Sequence, residues 1–201
     1  ARPAGEARLT TTAPKSLPRM SVAEFLDWDG GGLVGKLELI NGEVRAMSPA
    51  SGTHALIQAN LAYLIGAHLR ATKRPCRVGT EAPIVPRFHA NDNIRAPDLS
   101  VTCQTSPPGK VFPDPVLIIE VLSPSNLRET WESIRACATI PSLAEIMVVD
   151  SERVLVEIYR KLPEGGWPTE PDERAQSGAI KLISIEATLN VADIYSGTHL
   201  V

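Results

Sequence analysis

Leu127, Trp131, Ile134 and Ala138 recur at steps of three and four, the clearest helical stripe in the chain. The stripe predicts a helix that starts at Asn126, with Glu129 three residues on, and ends at Pro141; it places Trp131 in the core. Residues 54–71 show a second helical pattern, with Leu56, Ile57, Tyr63, Leu64 and Leu69 on an apolar side and Pro75 as the stop. Ser21-Val22-Ala23-Glu24 has capping-box spacing, so a short helix is expected through about Trp28 before Gly30-Gly31-Gly32 breaks it. Residues 36–40 and 43–47 read as strands around Asn41-Gly42, a hairpin signal because both residues tolerate positive φ. Further strands are expected at 76–85, 98–103, 116–122, 145–150, 154–160 and 180–185, with a turn at Ser151-Glu152 and a short element through Tyr195. Residues 49–53, 87–93, the Pro107-Pro108-Gly109 stretch and Gly165-Gly166 read as loops or turns. Run 116–122 is the most apolar, and its shortness and β-branched content predict a buried central strand. The mixture predicts an α/β (α+β) domain, a mixed sheet flanked by helices.

At 201 residues the chain suffices for one domain with a full core. Residues 1–19 lack periodicity and are expected to be an extension, with Met20 a candidate start and 20–201 the single domain. Aromatics make up only 4%, so the core must rest on Val, Ile, Leu and Ala. The net charge of −3 argues against a simple high-affinity nucleic-acid binder, whose footprint is basic, but leaves room for an enzyme using a local patch and a bound cation. Arg70, Lys73, Arg74 and Arg77 form the one dense basic cluster, read as a solvated helix end. Cys76, Cys103 and Cys137 show no C-x-x-C pair, which points to reduced thiols and a cytoplasmic protein. No run is long enough for a membrane span.

Glu120 stands out because it interrupts Val116-Leu117-Ile118-Ile119 and Val121-Leu122. A carboxylate there needs an arginine partner, an open strand edge or a metal ion. Asp98, after Pro97 and before Leu99-Ser100-Val101, is a second acid at an apolar strand. If the two face one another across adjacent strands, each raises the other's pKa unless a cation lies between them. Mg²⁺ (or Mn²⁺) suits such a pair, with water and substrate phosphate completing its shell. Alternatively Arg95 pairs locally with Asp98 and the charge is structural.

The series Leu37-Glu38-Leu39-Ile40-Asn41-Gly42-Glu43-Val44, Met47-Ser48-Pro49, Ile94-Arg95-Ala96-Pro97-Asp98, Ile119-Glu120-Val121-Leu122-Ser123-Pro124-Ser125 and Ile140-Pro141-Ser142-Leu143 resembles the Uma2 family (DUF820). That family belongs to the restriction-endonuclease-like superfamily with a P-D…(D/E)-x-K site, and the resemblance covers nearly the whole chain from Met20 to Tyr195. It implies a restriction-endonuclease-like fold, with Pro97-Asp98 as the first element, Glu120 as the second acid and Glu38, rather than Glu43, as an upstream acid. Glu38, Asp98 and Glu120 would then hold the metal. The lysine place two residues after Glu120 is Leu122, and the place supplied by the following helix falls on Ser133. Neither is basic, so Arg135 or Arg128 is the expected substitute, although arginine stays protonated and is a poor general base. His54, Gln58 one turn further, and Arg95 are the candidate substrate contacts. His54 could equally be structural.

The expected activity is metal-dependent endonucleolytic hydrolysis of DNA phosphodiester bonds, with a homodimer suggested by the two-fold symmetry of a duplex. The alternative is a catalytically weakened relative that binds nucleic acid or a protein partner.

Overall fold

The computed structural model describes residues 19–33, 35–105 and 109–201. The expected extension at 1–18 and the prolines of the expected loop at 107–108 lie outside the described residues. Arg19, at the start of the described chain, hydrogen-bonds the carbonyl of Asn41.

Six strands form the main sheet in the order β3-β4-β5-β6-β7-β8. They are β3 (Arg77–Thr80), β4 (Leu99–Thr102), β5 (Pro115–Leu122), β6 (Glu145–Asp150), β7 (Val156–Arg160) and β8 (Glu173–Ala175). Every neighbouring pair is antiparallel except β5 and β6, which run parallel. A parallel pair needs a crossover. Here that crossover is helix α3 (Leu127–Cys137), which starts and stops where the apolar stripe and Pro141 predict.

Alternation along β5 divides the interior. Leu117, Ile119 and Val121 join Leu99, Val101, Met147 and Val149 in the larger apolar cluster. Over them lies helix α2 (Gly52–Ala71), contributing Ile57, Leu61, Ile65 and Leu69. Ile118 belongs to the second cluster, with Ile146, Val148 and the α3-side residues Ile134, Cys137, Ile140 and Leu143. Glu120 therefore has the parity of Ile118 and faces α3, not α2. Trp131 is half-buried, edge-on to Tyr159, at the margin of this second cluster.

The chain's beginning makes a separate layer. Ser21 and Glu24 complete the capping box of helix α1 (Val22–Asp27). Strands β1 (Leu37–Ile40) and β2 (Glu43–Ala46) pair around Asn41-Gly42, whose φ values of 50° and 81° require the residues found there. Leu39 exchanges both backbone hydrogen bonds with Ile94, at 3.1 and 2.9 Å, and Ile84 does the same with Arg95. The first bridge lays the hairpin against the segment leading into β4, and the second ties the stretch after β3 to the same segment.

Three details differ from the expectations drawn from sequence. β3 ends at Thr80, because Glu81 takes a φ of 50° and turns the chain before Ile84 makes its isolated bridge. The expected strand at 180–185 is β9 (Ala179–Leu182) followed by a 3₁₀ turn; β9 pairs with β10 (Ala187–Asn190), which leads into helix α4 (Val191–Ile194). Cys76 and Cys103 are disulfide-bonded. Arg77 pairs with Thr102, so the same ladder brings the two cysteines side by side, although 27 positions separate them. This corrects the expectation of unpaired thiols, and removes the support that cysteine spacing gave to a reducing compartment. Among the described residues no helix is long and apolar enough to cross a membrane.

Non-reducing peptide mapping should recover Cys76 and Cys103 in one linked species. Cys137, buried and with its thiol pKa pushed up by desolvation, should alkylate only after unfolding.

Candidate metal centre

Four acids are buried in the described structure: Glu38, Asp98, Glu120 and Glu145. Their partners separate them. Glu145 accepts from Arg160 Nε at 3.1 Å and from the backbone N–H groups of Ile183 and Ser184 at 2.9 and 2.6 Å. Glu38 accepts from Arg95 Nη1 at 3.2 Å and from the Ala96 N–H at 2.9 Å. Each of these two carboxylates has a guanidinium and at least one backbone donor. Glu120 has no cation within ion-pair distance among the described residues. It accepts only from the Ser133 hydroxyl at 3.3 Å and, weakly, from the Asp98 N–H at 3.4 Å.

Asp98 sits one residue before β4, where Leu99 lies opposite Ile119. Carried one position outward, that register sets Asp98 against Glu120. Asp98 Oδ2 accepts from the Val121 N–H at 2.8 Å and lies 3.3 Å from His54 Nε2. Its Oδ1 lies 3.1 Å from Lys36 Nζ. His54 is held in the first turn of α2, where its N–H donates to the Ser51 cap. Gln58, one turn on, donates to the Asp98 carbonyl at 3.0 Å, so its amide fixes the start of β4.

The electrostatics follow from these contacts. Burial opposes ionisation of Asp98, but the His54 hydrogen bond and the Lys36 charge outweigh it and hold the carboxyl at about 2. Glu120 moves the other way: burial first, and then the neighbouring Asp98 charge, push its pKa well above the ordinary carboxylate range. Burial also disfavours the Lys36 ammonium, yet Glu120, Asp98 and Glu38 together hold it above the usual lysine range.

Of the residues singled out in the sequence, Glu38, His54, Gln58, Arg95, Asp98 and Glu120 come together. Arg95 is buried, as a site role requires, but its partner is Glu38 and not Asp98. Arg135 is not brought in: Ser133 faces Glu120, and two residues on, about 200° around the helix, Arg135 is exposed. Arg128 is also exposed and pairs with Glu132. Glu43 lies at the surface beside Arg19 and Arg45. Lys36 is the site residue that sequence reasoning misses. Its signal is strand alternation, because positions 36 and 38 share a face when β1 is extended by one residue.

A cavity of about 550 Å³ opens beside Asp98, lined by Lys36, His54, Glu81 and Asp98 and, on the other wall, by Ser123, Ser125 and Asn126 at the α3 start; Glu120 lies next to Asp98, outside the lining. It lies at the C-terminal end of β5, where the crossover leaves the sheet, a place where α/β folds commonly bind ligands. Among the described residues no group of three or more His, Cys, Asp or Glu is arranged as a metal cage. Two carboxylates beside an open cavity nevertheless fit Mg²⁺ or Mn²⁺, which keeps several waters and needs only one or two such ligands. Glu38 does not fit as a third, since both its oxygens are engaged.

The Uma2 family model, described as "Putative restriction endonuclease", matches residues 22–192. The chain is 28% identical over 185 residues to the uncharacterized protein slr1290 of Synechocystis sp., covering 90% of this chain and 93% of that one. It shares its fold with a crystal structure titled as a "putative nuclease belonging to DUF820" from Anabaena variabilis, at a TM-score of 0.65 and 21% identity, over 88% of this chain and 98% of the other.

Because the folded state holds the Glu120 proton more tightly than the unfolded chain does, the stability from this group is fully present below about 4.5 and is lost as pH rises toward the folded value. In metal-free buffer Glu120→Gln should therefore melt close to the wild type near about pH 5 and several degrees above it near about pH 8. Thermal denaturation at the two pH values checks this; a gap that fails to widen means Glu120 is neutralised by another group.

Proposed function

The chain belongs to the Uma2 family, and from that premise we propose that it is a metal-dependent endonuclease hydrolysing phosphodiester bonds of DNA, with Asp98 and Glu120 as the metal-binding carboxylates. The observation that carries the reading is the contrast among the buried acids: Glu38 and Glu145 are neutralised by arginines, and Glu120, next to Asp98, is not. An uncompensated buried charge of this kind is costly unless a cation is held there.

When bound, Mg²⁺ or Mn²⁺ would lower the pKa of a water ligand and neutralise charge on the scissile phosphate. The chain's own residues supply the rest. The Val121 N–H and His54 fix both the orientation and the ionised state of Asp98. Ser133 holds one oxygen of Glu120 from the α3 side. Gln58 braces the backbone at Asp98, a positioning role and not a substrate contact. Arg95 and Glu38 lock the hairpin layer behind the site; both are buried, so their contribution is the placement of the wall. A phosphodiester backbone would enter by the cavity, whose lining comes in part from α2 and from the loop before α3.

The second reading, a nuclease-fold protein that binds nucleic acid or a protein partner without cutting it, is favoured by one observation. Leu122 and Ser133 occupy the two places where the resemblance implies a lysine.

Plasmid nicking separates the two. The wild type should relax supercoiled DNA in Mg²⁺ or Mn²⁺ and stop in EDTA. Asp98→Ala should lower the rate by about 100-fold or more, the scale seen when one preorganised charge-stabilising group is removed. A wild type that binds Mn²⁺ and DNA but leaves the plasmid intact supports the binding reading.

A further inference from the structure

The cavity beside Asp98 has one lysine or arginine in its described lining. Arg95 is sealed behind it against Glu38, Arg128 pairs with Glu132 outside it, and Arg135 is exposed. Lys36 alone among the lysines and arginines reaches the lining, from the residue before β1. Its side chain is 16% exposed, and its Nζ rests 3.1 Å from Asp98 Oδ1. An ammonium carries three donors, and this contact uses one.

We propose, resting on the nuclease reading, that Lys36 is a catalytic residue whose ammonium contacts the scissile phosphate beside the two carboxylates. The charge balance of the cavity requires such a group. A phosphodiester entering this space meets the lining carboxylates Asp98 and Glu81, with Glu120 buried next to Asp98, and one divalent cation offsets only two of these charges. The phosphate's own charge, and the further negative charge that develops as water adds to phosphorus, need another positive group facing the same space. In hydrolysis the oxygen of water bonds to phosphorus, the bond to the leaving ester oxygen breaks, and that oxygen takes up a proton. Lys36 enters this balance as a hydrogen-bond donor and charge that remains on the protein throughout.

Its placement is built in from the fold. Lys36 precedes Leu37 and Glu38, and Glu38 is anchored by Arg95 and by the Ala96 N–H, so the hairpin cannot slide without breaking a buried ion pair. The Met47 N–H donates to the Lys36 carbonyl at 2.9 Å, which closes the open end of the hairpin. A lysine serving only as counter-ion to Asp98 would satisfy these contacts as well, so the test must read something that a counter-ion does not move.

Three proteins suffice: wild type, Lys36→Met, and Lys36→Met combined with Ser133→Lys. Ser133 is chosen because its hydroxyl already reaches Glu120, so a longer side chain there delivers an ammonium to the same carboxylates. Mn²⁺ affinity by calorimetry, DNA affinity against salt in EDTA, and plasmid nicking are measured for each. Lys36→Met should bind Mn²⁺ at least as tightly as wild type, since a competing cation is gone, which also shows that the site is folded. Its nicking rate should fall by about 100-fold or more. The slope of log affinity against log salt should shrink by about 1, the signature of one lost phosphate contact. The double variant should regain at least tenfold of the lost rate, on the order of the effect of restoring one donor. Lys36→Met nicking within about threefold of wild type overturns the proposal and leaves the metal nuclease standing. So does an unchanged salt slope with Mn²⁺ binding and nicking lost together, which makes Lys36 a counter-ion. A wild type that binds Mn²⁺ and cuts nothing overturns this proposal and the nuclease reading at once.

Discussion

Glu120 lies in the middle of the most apolar strand of the protein, 4% exposed, with one hydroxyl and one weakly placed backbone N–H for company. Removing a carboxylate from water costs several kcal/mol even after the surroundings relax, on the order of what a whole domain has to spare. Elsewhere the protein meets the same difficulty with arginine. Arg160 answers Glu145 and Arg95 answers Glu38, each with added backbone donors. At Glu120 the answer is deferred: a second acid stands opposite, and a lysine touches only that second acid. The arrangement favours either a proton or a cation, and a cavity opens at the neighbouring Asp98.

The rest of the fold can be understood as support for that position. Two apolar clusters press on the two faces of the sheet, and towards the C-terminal end of β5 His54 of α2 reaches Asp98 while Ser133 of α3 reaches Glu120. Helix α2 brings His54 and Gln58 to Asp98 at its first turns, while its apolar residues hold the larger cluster for the remaining length. Helix α3 brings Ser133 from the other side. The β1–β2 hairpin belongs to neither layer; the Leu39–Ile94 backbone bridge and the Glu38–Arg95 pair fasten it, and it carries Lys36 to the rim.

Strong local chemistry makes part of this architecture legible in the sequence. Asn41-Gly42 admits essentially one hairpin, Ser21 with Glu24 states a helix start, and the stripe from Leu127 to Ala138 states a helix face. Asp98 and Glu120 are conspicuous because acids interrupt apolar strands. What stays hidden depends on partners distant in sequence. β8 and β10 are only three and four residues long, so pairing with β7 and β9 is what makes them strands. The Cys76–Cys103 link is written in the β3–β4 register, which spacing along the chain does not reveal. Sequence proximity favours the α3 arginines as the source of a cation at the site, whereas the ammonium that lies against Asp98 comes from Lys36, 62 positions earlier.

Side-chain parity on β5 has one more consequence. Leu117, Ile119 and Val121 feed one cluster while Ile118 and Glu120 face the other, so a slip of one residue against β4 or β6 would turn the acid into the packing under α2 and an aliphatic group toward Ser133. The misregistered chain would lose its core and, with it, the proposed metal ligand. In the proposed metal site, strand alignment is thus proofread by the acid assigned to the cation, and a population that bound a divalent ion there would be one whose central strand has found its place.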